Sequence, residues 1–349
     1  MKTKVKTVLL AGGKGTRLWP LSTARLSKAY INIGKNKAMI SRSLERAVRL
    51  TGKANTHIVV DKDQYSQLKK FTDPVVKKNI IVEPFGRSTA SAIGLAALQM
   101  LPDEIMLIMP TDSFIKDDKK FYETINKGIS FARKSTHALI CVGIVPDRPS
   151  TAYGYIKIAD EISDGVYSVD RFVEKPSRKK ASSLVKNKSY LWNAGIFIFR
   201  VEAILKTMQR HSPALFDGLQ QIKKNRKDIA KVYARMKNVS IDYQIMEKAQ
   251  NLYCIKGSFT WRDLGNWQNV GKLFKKDKCG NEIFGKAVLL DTRNSVIYNS
   301  EGKTVGVNGL SEVIVINTKN GILVSSKNDV ENVKKIALLT ERENENIVS

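Results

Sequence analysis

The sequence predicts an α/β fold: a Rossmann-like mixed, mostly parallel sheet with helices on both faces, followed by a small C-terminal β appendage coiled like a β-helix. Three observations carry this reading. Short, wholly apolar strand runs alternate with helical stretches, less regularly toward the end, as far as about Asn281, and strands apolar on both faces belong to sheets covered on both sides. Past Gly280 the pattern changes to short strand-like runs separated by Asn, Gly, Asp and Thr. The length of 349 residues suits about two domains at ~150 residues each. The expected division is a larger domain over 1–280 and a smaller one over 281–349.

The elements follow in order. A first strand covers 6–11 and ends in glycines. Over 39–50, Ile40, Leu44, Ala47 and Val48 share one helical face. Residues 57–61 and 80–83 read as strands. The small-residue stretch 88–100 reads as a helix with Ile93, Leu95, Ala96 and Leu98 as its apolar body. A buried strand over 104–110 is closed by Thr111 and Asp112, a helix spans 119–134, and a second buried strand spans 138–145. Strands are expected over 153–158, 167–174 and 195–200, and helices over 201–209 and 213–225. In the appendage, strands fall at 287–291, 295–298, 304–307, 313–317 and 321–325, too irregularly spaced for a repeat array. Asn328 with Glu331 three residues later forms a capping box that opens a last helix. That helix is expected to run to about Leu339, with 341–349 a frayed tail.

Composition excludes several classes of function. Hydrophobic residues are 42% and charged residues 26%, which fits a globular chain rather than a disordered one. Apolar runs such as 138–145 fall well short of the ~18 residues of a membrane span. The basic start leads into an apolar run over 8–11 that collapses at Gly12-Gly13-Lys14, too short for export. Cys141, Cys254 and Cys279 give neither a disulfide framework nor a zinc pattern. The expectation is a cytoplasmic protein without a membrane partner. Lys and Arg number 59 against 33 Asp and Glu, a net charge of +26. Lysine pairs are spread evenly, with no basic arm and no basic stripe with interleaved aromatics. The excess therefore reads as solvated faces, and no specific nucleic-acid partner is expected.

The stretch from Val8 to Ser22 is the most informative. A strand ends in a loop holding Gly12, Gly13 and Gly15, then Thr16 and Arg17. Glycines let backbone N–H groups close on an anion, and Arg17 adds a planar fork for phosphate oxygens. It is no P-loop, since no glycine stands four residues before a Gly-Lys-Ser/Thr. It is no dinucleotide fingerprint either, since Leu18 stands where the last glycine belongs.

Gly12-Gly-x-Gly-Thr-Arg-Leu-Trp-Pro-Leu-Ser22 resembles the signature of the sugar-1-phosphate nucleotidyltransferases, and its Trp-Pro-Leu-Ser continuation that of the mannose-1-phosphate guanylyltransferase branch. Further matches come in the family's order: Glu83-Pro-Phe-Gly-Arg-Ser-Thr-Ala90, Pro110-Thr-Asp112, Tyr153-Gly-Tyr-Ile156, Phe172-Val-Glu-Lys-Pro176 and Trp192-Asn-Ala-Gly195. Ser240-Ile-Asp-Tyr243 with Met246-Glu-Lys248, then Trp261-Arg-Asp-Leu-Gly-Asn-Trp267, complete the set. The resemblance covers about residues 5–270 and implies a sheet of the nucleotidyltransferase type. The remainder resembles the β appendage of single-function members, without the phosphomannose isomerase domain of longer relatives.

The resemblance implies transfer of GMP from GTP to α-D-mannose 1-phosphate, with release of pyrophosphate and Mg²⁺ as cofactor. A phosphate monoester is already largely dianionic at pH 7, with a second pKa of ~6, so the nucleophile needs no strong base. The protein's task is to hold anions in line and neutralise charge. The three histidines, His57, His137 and His211, all lie outside the motifs, in keeping with this.

Residue roles follow from the same resemblance. Leu10, Ala11, Gly12, Gly13, Gly15 and Thr16 would wrap the triphosphate, with Arg17 and Lys28 as catalytic cations on the leaving phosphates. Asp112 ends a buried strand, where open α/β sheets bind ligands. It would meet the nucleotide and, with Asp263, hold Mg²⁺, which favours one or two carboxylates with phosphate oxygens and water. Glu83 would read the guanine N1–H and N2–H₂ edge, beside Arg87 and Thr89 at a helix start. Lys175 would be the catalytic cation on the sugar phosphate, with Gly154 nearby and Glu174 and Asn193 on sugar hydroxyls.

Some positions depart from the family pattern. Ser27-Lys28-Ala29 replaces Pro-Lys-Gln, Ser88 replaces Asn, Ser91 Pro, Ser113 His, and Ala152 Gly. Every metal and phosphate position is kept. The altered positions flank nucleotide and sugar, so the alternatives are a different sugar 1-phosphate or nucleoside triphosphate, or a catalytically silent regulatory relative. The appendage could cover its own domain or a neighbour's, which leaves a homodimer open.

Overall fold

The computed structural model describes residues 3–13, 15–23, 26–33 and 37–348, with side chains to 343. Two compact units emerge. The first comprises Met1–Gly12, Ser43–Thr111 and Ile115–Trp261, and the second Gly13–Arg42, Asp112–Phe114 and Arg262–Ser349. No helix among the described residues is long and apolar enough to cross a membrane.

The first unit is built on a nine-stranded sheet. Its strands are β1 (Val5–Leu10), β2 (Thr56–Asp61), β3 (Ile80–Glu83) and β4 (Ile105–Pro110), then, after the short β5 (Ser113–Lys116), β6 (Leu139–Ile144), β7 (Tyr155–Ser163), β8 (Val166–Val173), β9 (Tyr190–Arg200) and β10 (Leu252–Lys256). The order is β3-β2-β1-β4-β9-β6-β10-β8-β7, with β7 also against β9.

The mixed sheet is the one expected, but its parallel pairing is confined to β3-β2-β1-β4 and to β6-β10. β9 runs against both β4 and β6, and β7 with β8 forms an antiparallel hairpin. The hairpin turns at Asp164-Gly165, with Gly165 at φ 72°, the left-handed backbone that such a two-residue turn demands.

Alternation along the strands explains the continuous apolar runs. Val8, Met106, Ile108, Cys141, Phe197, Phe199 and Cys254 join one core with residues of helices Ser88–Ala97, Val201–His211, Pro213–Lys224 and Ile229–Arg235. Ile198 and Ile255 point to the opposite face, where they leave no room for a Cβ on Gly128 of helix Asp118–Lys134. Both faces of the sheet are therefore covered, and a polar residue on either would lose its water.

In the second unit Leu18, Ile31, Ile33, Met39, Leu264, Trp267 and Val270 share a core with Val296, Tyr298, Ile314, Ile316 and Val333. The Trp267 indole N–H donates to the Trp19 carbonyl at 2.9 Å, tying the two tryptophan-bearing motifs together. After β11 (Thr260–Asp263), along which the chain passes from the first unit to the second, the strands are β12 (Lys275–Lys276), β13 (Glu282–Phe284), β14 (Ala287–Leu290), β15 (Val296–Asn299), β16 (Val305–Asn308), β17 (Val313–Thr318) and β18 (Gly321–Ser326). β13, β15 and β17 stack in parallel, as do β14 and β16, which is the coil of a β-helix. Ile283 lies over Ile297 and Ile297 over Val315, so successive coils differ in length. That inequality is why no repeat shows in the sequence.

Two expectations at the C-terminus are corrected. Asn328 and Glu331 form no capping box: Ser326 Oγ accepts from the Asn328 N–H at 3.2 Å and opens a 3₁₀ turn, Lys327–Asn332, kinked at Asp329. The helix then runs Val333–Val348 instead of fraying from 341, while Ser349 lies outside the described residues.

Candidate active site

The phosphate and metal residues foreseen in the second unit cluster there. After Gly12 the chain turns through Gly13 at φ 105° and Gly15 at φ 67°, conformations that favour glycine, and Lys28 fills the space where a Gly15 side chain would go. The Ser27 hydroxyl donates to the Gly13 carbonyl at 2.8 Å and the Ser22 hydroxyl to the Gly15 carbonyl at 2.7 Å. The loop's oxygens are thus turned to protein, and the N–H groups of Gly13, Gly15 and Thr16 donate to none of the described residues. N–H groups left over in this way are suited to meeting an anion. Ser27 stands where the family shows Pro, and its hydroxyl turns that departure into a loop anchor.

Lys28 pairs with the Asp112 carboxylate, both half-buried. The Leu264 N–H donates to the Asp112 carbonyl at 3.2 Å, which sets Asp263 beside it. Asp263 Oδ2 lies 3.0 Å from where a Gly265 Cβ would stand, so that glycine makes room for the carboxylate. Burial pulls the Lys28 pKa down, but the charges of Asp112 and Asp263 outweigh it and the net shift is upward. Burial likewise pushes Asp112 up, and Lys28 more than reverses it. Asp263 is raised, by burial first and with Asp112 adding to it against Lys28. Two mutually repelling carboxylates that share one lysine's charge are a hard-oxygen donor set, which fits Mg²⁺.

Arg17 is held differently from expectation. Its Nη1 donates to both Glu331 oxygens, at 3.0 and 3.3 Å, and Asn266 Nδ2 donates to the same carboxylate at 3.4 Å. Arg17 is 41% and Glu331 62% exposed at the side chain, so the pair is worth less than ~1 kcal/mol and leaves the arginine easily recruited.

The first unit carries two further clusters. At the end of β3, Glu83 is buried and accepts from the Tyr233 hydroxyl at 2.8 Å. Its Oε2 faces Gly12, lying 4.0 Å from where a Cβ there would stand. Burial pushes Glu83 up to about 7, against the Tyr233 hydrogen bond. Arg87 and Thr89 are engaged with protein: Arg87 donates to the Tyr233 and Ala234 carbonyls at 3.1 and 2.8 Å, and Thr89 Oγ1 accepts from the Ile241 N–H at 2.9 Å. Ser88 has φ 70°, left-handed backbone that suits the family's Asn better than Ser. Leu10 ends β1 and its carbonyl accepts from the Thr111 hydroxyl at 3.1 Å. The Ala11 N–H already donates to the Val59 carbonyl, so this donor is not free for a phosphate.

The second cluster brings Lys175, Glu174, Asn193 and Gly154 together. Lys175 Nζ pairs with Glu174 Oε1 at 2.9 Å, and its φ of 44° is strained for a lysine. Glu174 Oε2 is buried without a hydrogen-bond partner and would collide with any Cβ on Gly154. Asn193 Nδ2 donates to Asp242 Oδ1 at 2.8 Å, while its Oδ1 accepts from the Gly195 N–H at 3.0 Å. Burial, then the Asp242 charge, push Glu174 up to about 7, with Lys175 opposing.

Asp242 lies inside the Ser240-Ile-Asp-Tyr243 motif, where the sequence alone assigns it no role. It sits in the π-helical turn Asp242–Met246, a geometry often found at functional sites, and Glu247 beyond it accepts from the Glu174 N–H at 2.7 Å. Tyr233 lies outside every motif, and Glu331 stands in the sequence only as part of the expected capping box.

Comparison with known proteins fits this geometry. Residues 6–278 match the family model described as nucleotidyl transferase, and residues 285–338 the one described as a MannoseP isomerase/GMP-like beta-helix domain. The chain is 35% identical to the mannose-1-phosphate guanylyltransferase of Escherichia coli, over 96% of this chain and 75% of that protein. A solved structure from Thermus thermophilus, described as a mannose-1-phosphate geranyltransferase, is 31% identical with a TM-score of 0.88, over 98% of this chain and all of that one. A Helicobacter pylori structure described as mannose-6-phosphate isomerase is 25% identical with a TM-score of 0.63, over 74% of this chain and 100% of that one. The chain belongs to the nucleotidyl transferase family, on its mannose-1-phosphate guanylyltransferase branch.

Proposed function

We propose that this enzyme transfers GMP from GTP to α-D-mannose 1-phosphate, giving GDP-mannose and pyrophosphate. The observation that carries the proposal is Lys28 paired with Asp112 and drawn by the charge of Asp263, in the unit whose Gly13, Gly15 and Thr16 N–H groups donate to none of the described residues. The loop donors and Arg17 would hold the triphosphate, and Lys28 would meet negative charge as the pyrophosphate leaves. Asp112 and Asp263 would hold Mg²⁺, which when bound neutralises phosphate charge and helps to align the two substrates. In the other unit, Glu83 would accept from the guanine edge. Lys175 would grip the sugar phosphate as a point charge, and Glu174, Asn193 and Gly154 would shape the sugar pocket.

The attacking group is a phosphate oxygen that is already ionised, so these residues position and neutralise; none needs to remove a proton. A domain boundary near 280 belongs to the same reading and is supported by where the two family matches meet. A cytoplasmic location, where GTP is at hand, belongs to it as well.

A pyrophosphate-release screen over four nucleoside triphosphates and several sugar 1-phosphates, with Mg²⁺, tests the proposal. GTP with mannose 1-phosphate is expected to be the best pair. A better pair would move the specificity to another sugar or base, a course the altered Ser88 and Ala152 leave open. Isomerisation of mannose 6-phosphate without any pyrophosphate release would overturn the reaction class.

A further inference from the structure

Glu83 has two oxygens in different surroundings. Oε1 accepts from Tyr233 at 2.8 Å, and Oε2 faces Gly12, the first glycine of the signature loop. Tyr233 is itself fully buried and fixed. Phe85 meets its ring edge-on at 6.1 Å, and Arg87, lying over Phe85 at 5.1 Å, holds the backbone of Tyr233 and Ala234 with two hydrogen bonds. The motif that begins at Glu83 is thus bolted to helix Ile229–Arg235, a segment that contributes nothing to any recognised motif.

We propose that Tyr233 is a positioning residue for base selection: its hydroxyl holds Glu83 as an ionised acceptor with Oε2 presented to donor groups, so that guanine is accepted and adenine refused. The inference rests on the reading that Glu83 meets the base. A guanine edge offers N1–H and N2–H₂ to a carboxylate. The matching adenine edge offers only the N1 acceptor and a C–H, so it needs a protonated, donating carboxyl. Whichever form Glu83 takes therefore decides which purine is matched.

The groups that face Glu83 set that form. Burial, and the Asp61 carboxylate beside it on β2, favour the protonated form, and the Tyr233 hydroxyl favours the ionised one. The balance stands near neutrality, at about 7. Removal of the hydroxyl alone would move the balance toward the protonated form and blur the choice.

The test is kcat/KM for GTP and for ATP across pH 6 to 8.5, at saturating mannose 1-phosphate, in wild type, Tyr233→Phe and Glu83→Gln. In wild type the GTP:ATP ratio is expected to rise with pH through about 7. In Tyr233→Phe the ratio at pH 7 should fall about tenfold and its midpoint should move to higher pH, while KM for mannose 1-phosphate stays put. A merely structural tyrosine would lower both nucleotides together and leave the midpoint where it was. A wild-type ratio flat with pH, which needs no variant to fold, would overturn the proposal, as would an unmoved midpoint in Tyr233→Phe. If Glu83→Gln also left the ratio intact, the failure would lie with the base-reading role of Glu83 itself. A collapse in Glu83→Gln without one in Tyr233→Phe would fault only the tyrosine.

Discussion

Lys28, Asp112 and Asp263 show what a motif can and cannot announce at the scale of single residues. Each stands in a motif that the sequence displays, yet the pairing of Lys28 with Asp112 does not show there, since it depends on how the loops close. Asp263→Asn should cut metal-dependent turnover by 10² to 10³, about 3–4 kcal/mol of barrier, with the melting temperature kept; steady-state pyrophosphate release checks it. Lys175→Ala should raise KM for the sugar phosphate and leave KM for GTP near its original value.

Asp242 and Tyr233 were illegible for a plain reason: their partners, Glu174 and Glu83, lie far away in sequence, and no local pattern marks a contact of that range. Asp242→Asn removes the charge that helps keep Glu174 protonated, so Glu174 should ionise at lower pH. The pH dependence of KM for mannose 1-phosphate should shift acidward with it.

Glu83 also leaves a mark on stability. Its pKa is raised from 4.5 to about 7 in the folded state. Its contribution is therefore complete below the unfolded value and is lost as pH rises through the folded one. The shift corresponds to roughly 3 kcal/mol. Denaturant titrations of Glu83→Gln, which cannot ionise, should show a correspondingly flatter stability profile between pH 4.5 and 8.

Among elements, the strands with unbroken apolar runs were read nearly to the residue, because burial on both faces leaves them no other composition. The antiparallel β7–β8 hairpin escaped notice although Asp164-Gly165 signals its turn, since its outer half alternates weakly and is exposed. At Asn328 and Glu331 the expected capping box does not form: Ser326 caps the turn, and the Glu331 carboxylate meets Arg17 instead.

The unequal coils of the C-terminal stack depend on tight corners that spacing cannot reveal. At Gly285, φ is 87° and a Cβ would run into the Asn299 carbonyl. Gly285→Ala should accordingly destabilise the second unit by several kcal/mol, seen as a lower melting temperature by calorimetry.

Taken whole, the molecule divides its labour. One unit holds Glu83, Lys175, Glu174 and Asn193, proposed for base and sugar phosphate, and the other holds Gly13, Gly15, Arg17, Lys28, Asp112 and Asp263, proposed for the triphosphate and metal. The net charge of +26 is carried by lysines spread evenly over the chain, which reads as solvated faces and argues against a nucleic-acid surface. Turnover should therefore survive moderate salt while any binding to RNA falls away steeply, which a parallel salt titration of rate and RNA affinity would show.

The most direct test follows GTP labelled at the γ-phosphate with Mg²⁺, in the presence and absence of mannose 1-phosphate, with product mass measured alongside. Labelled pyrophosphate and GDP-mannose should appear together, in equal amounts, only when the sugar phosphate is added. Release of label without it, or no release with it, would contradict the account.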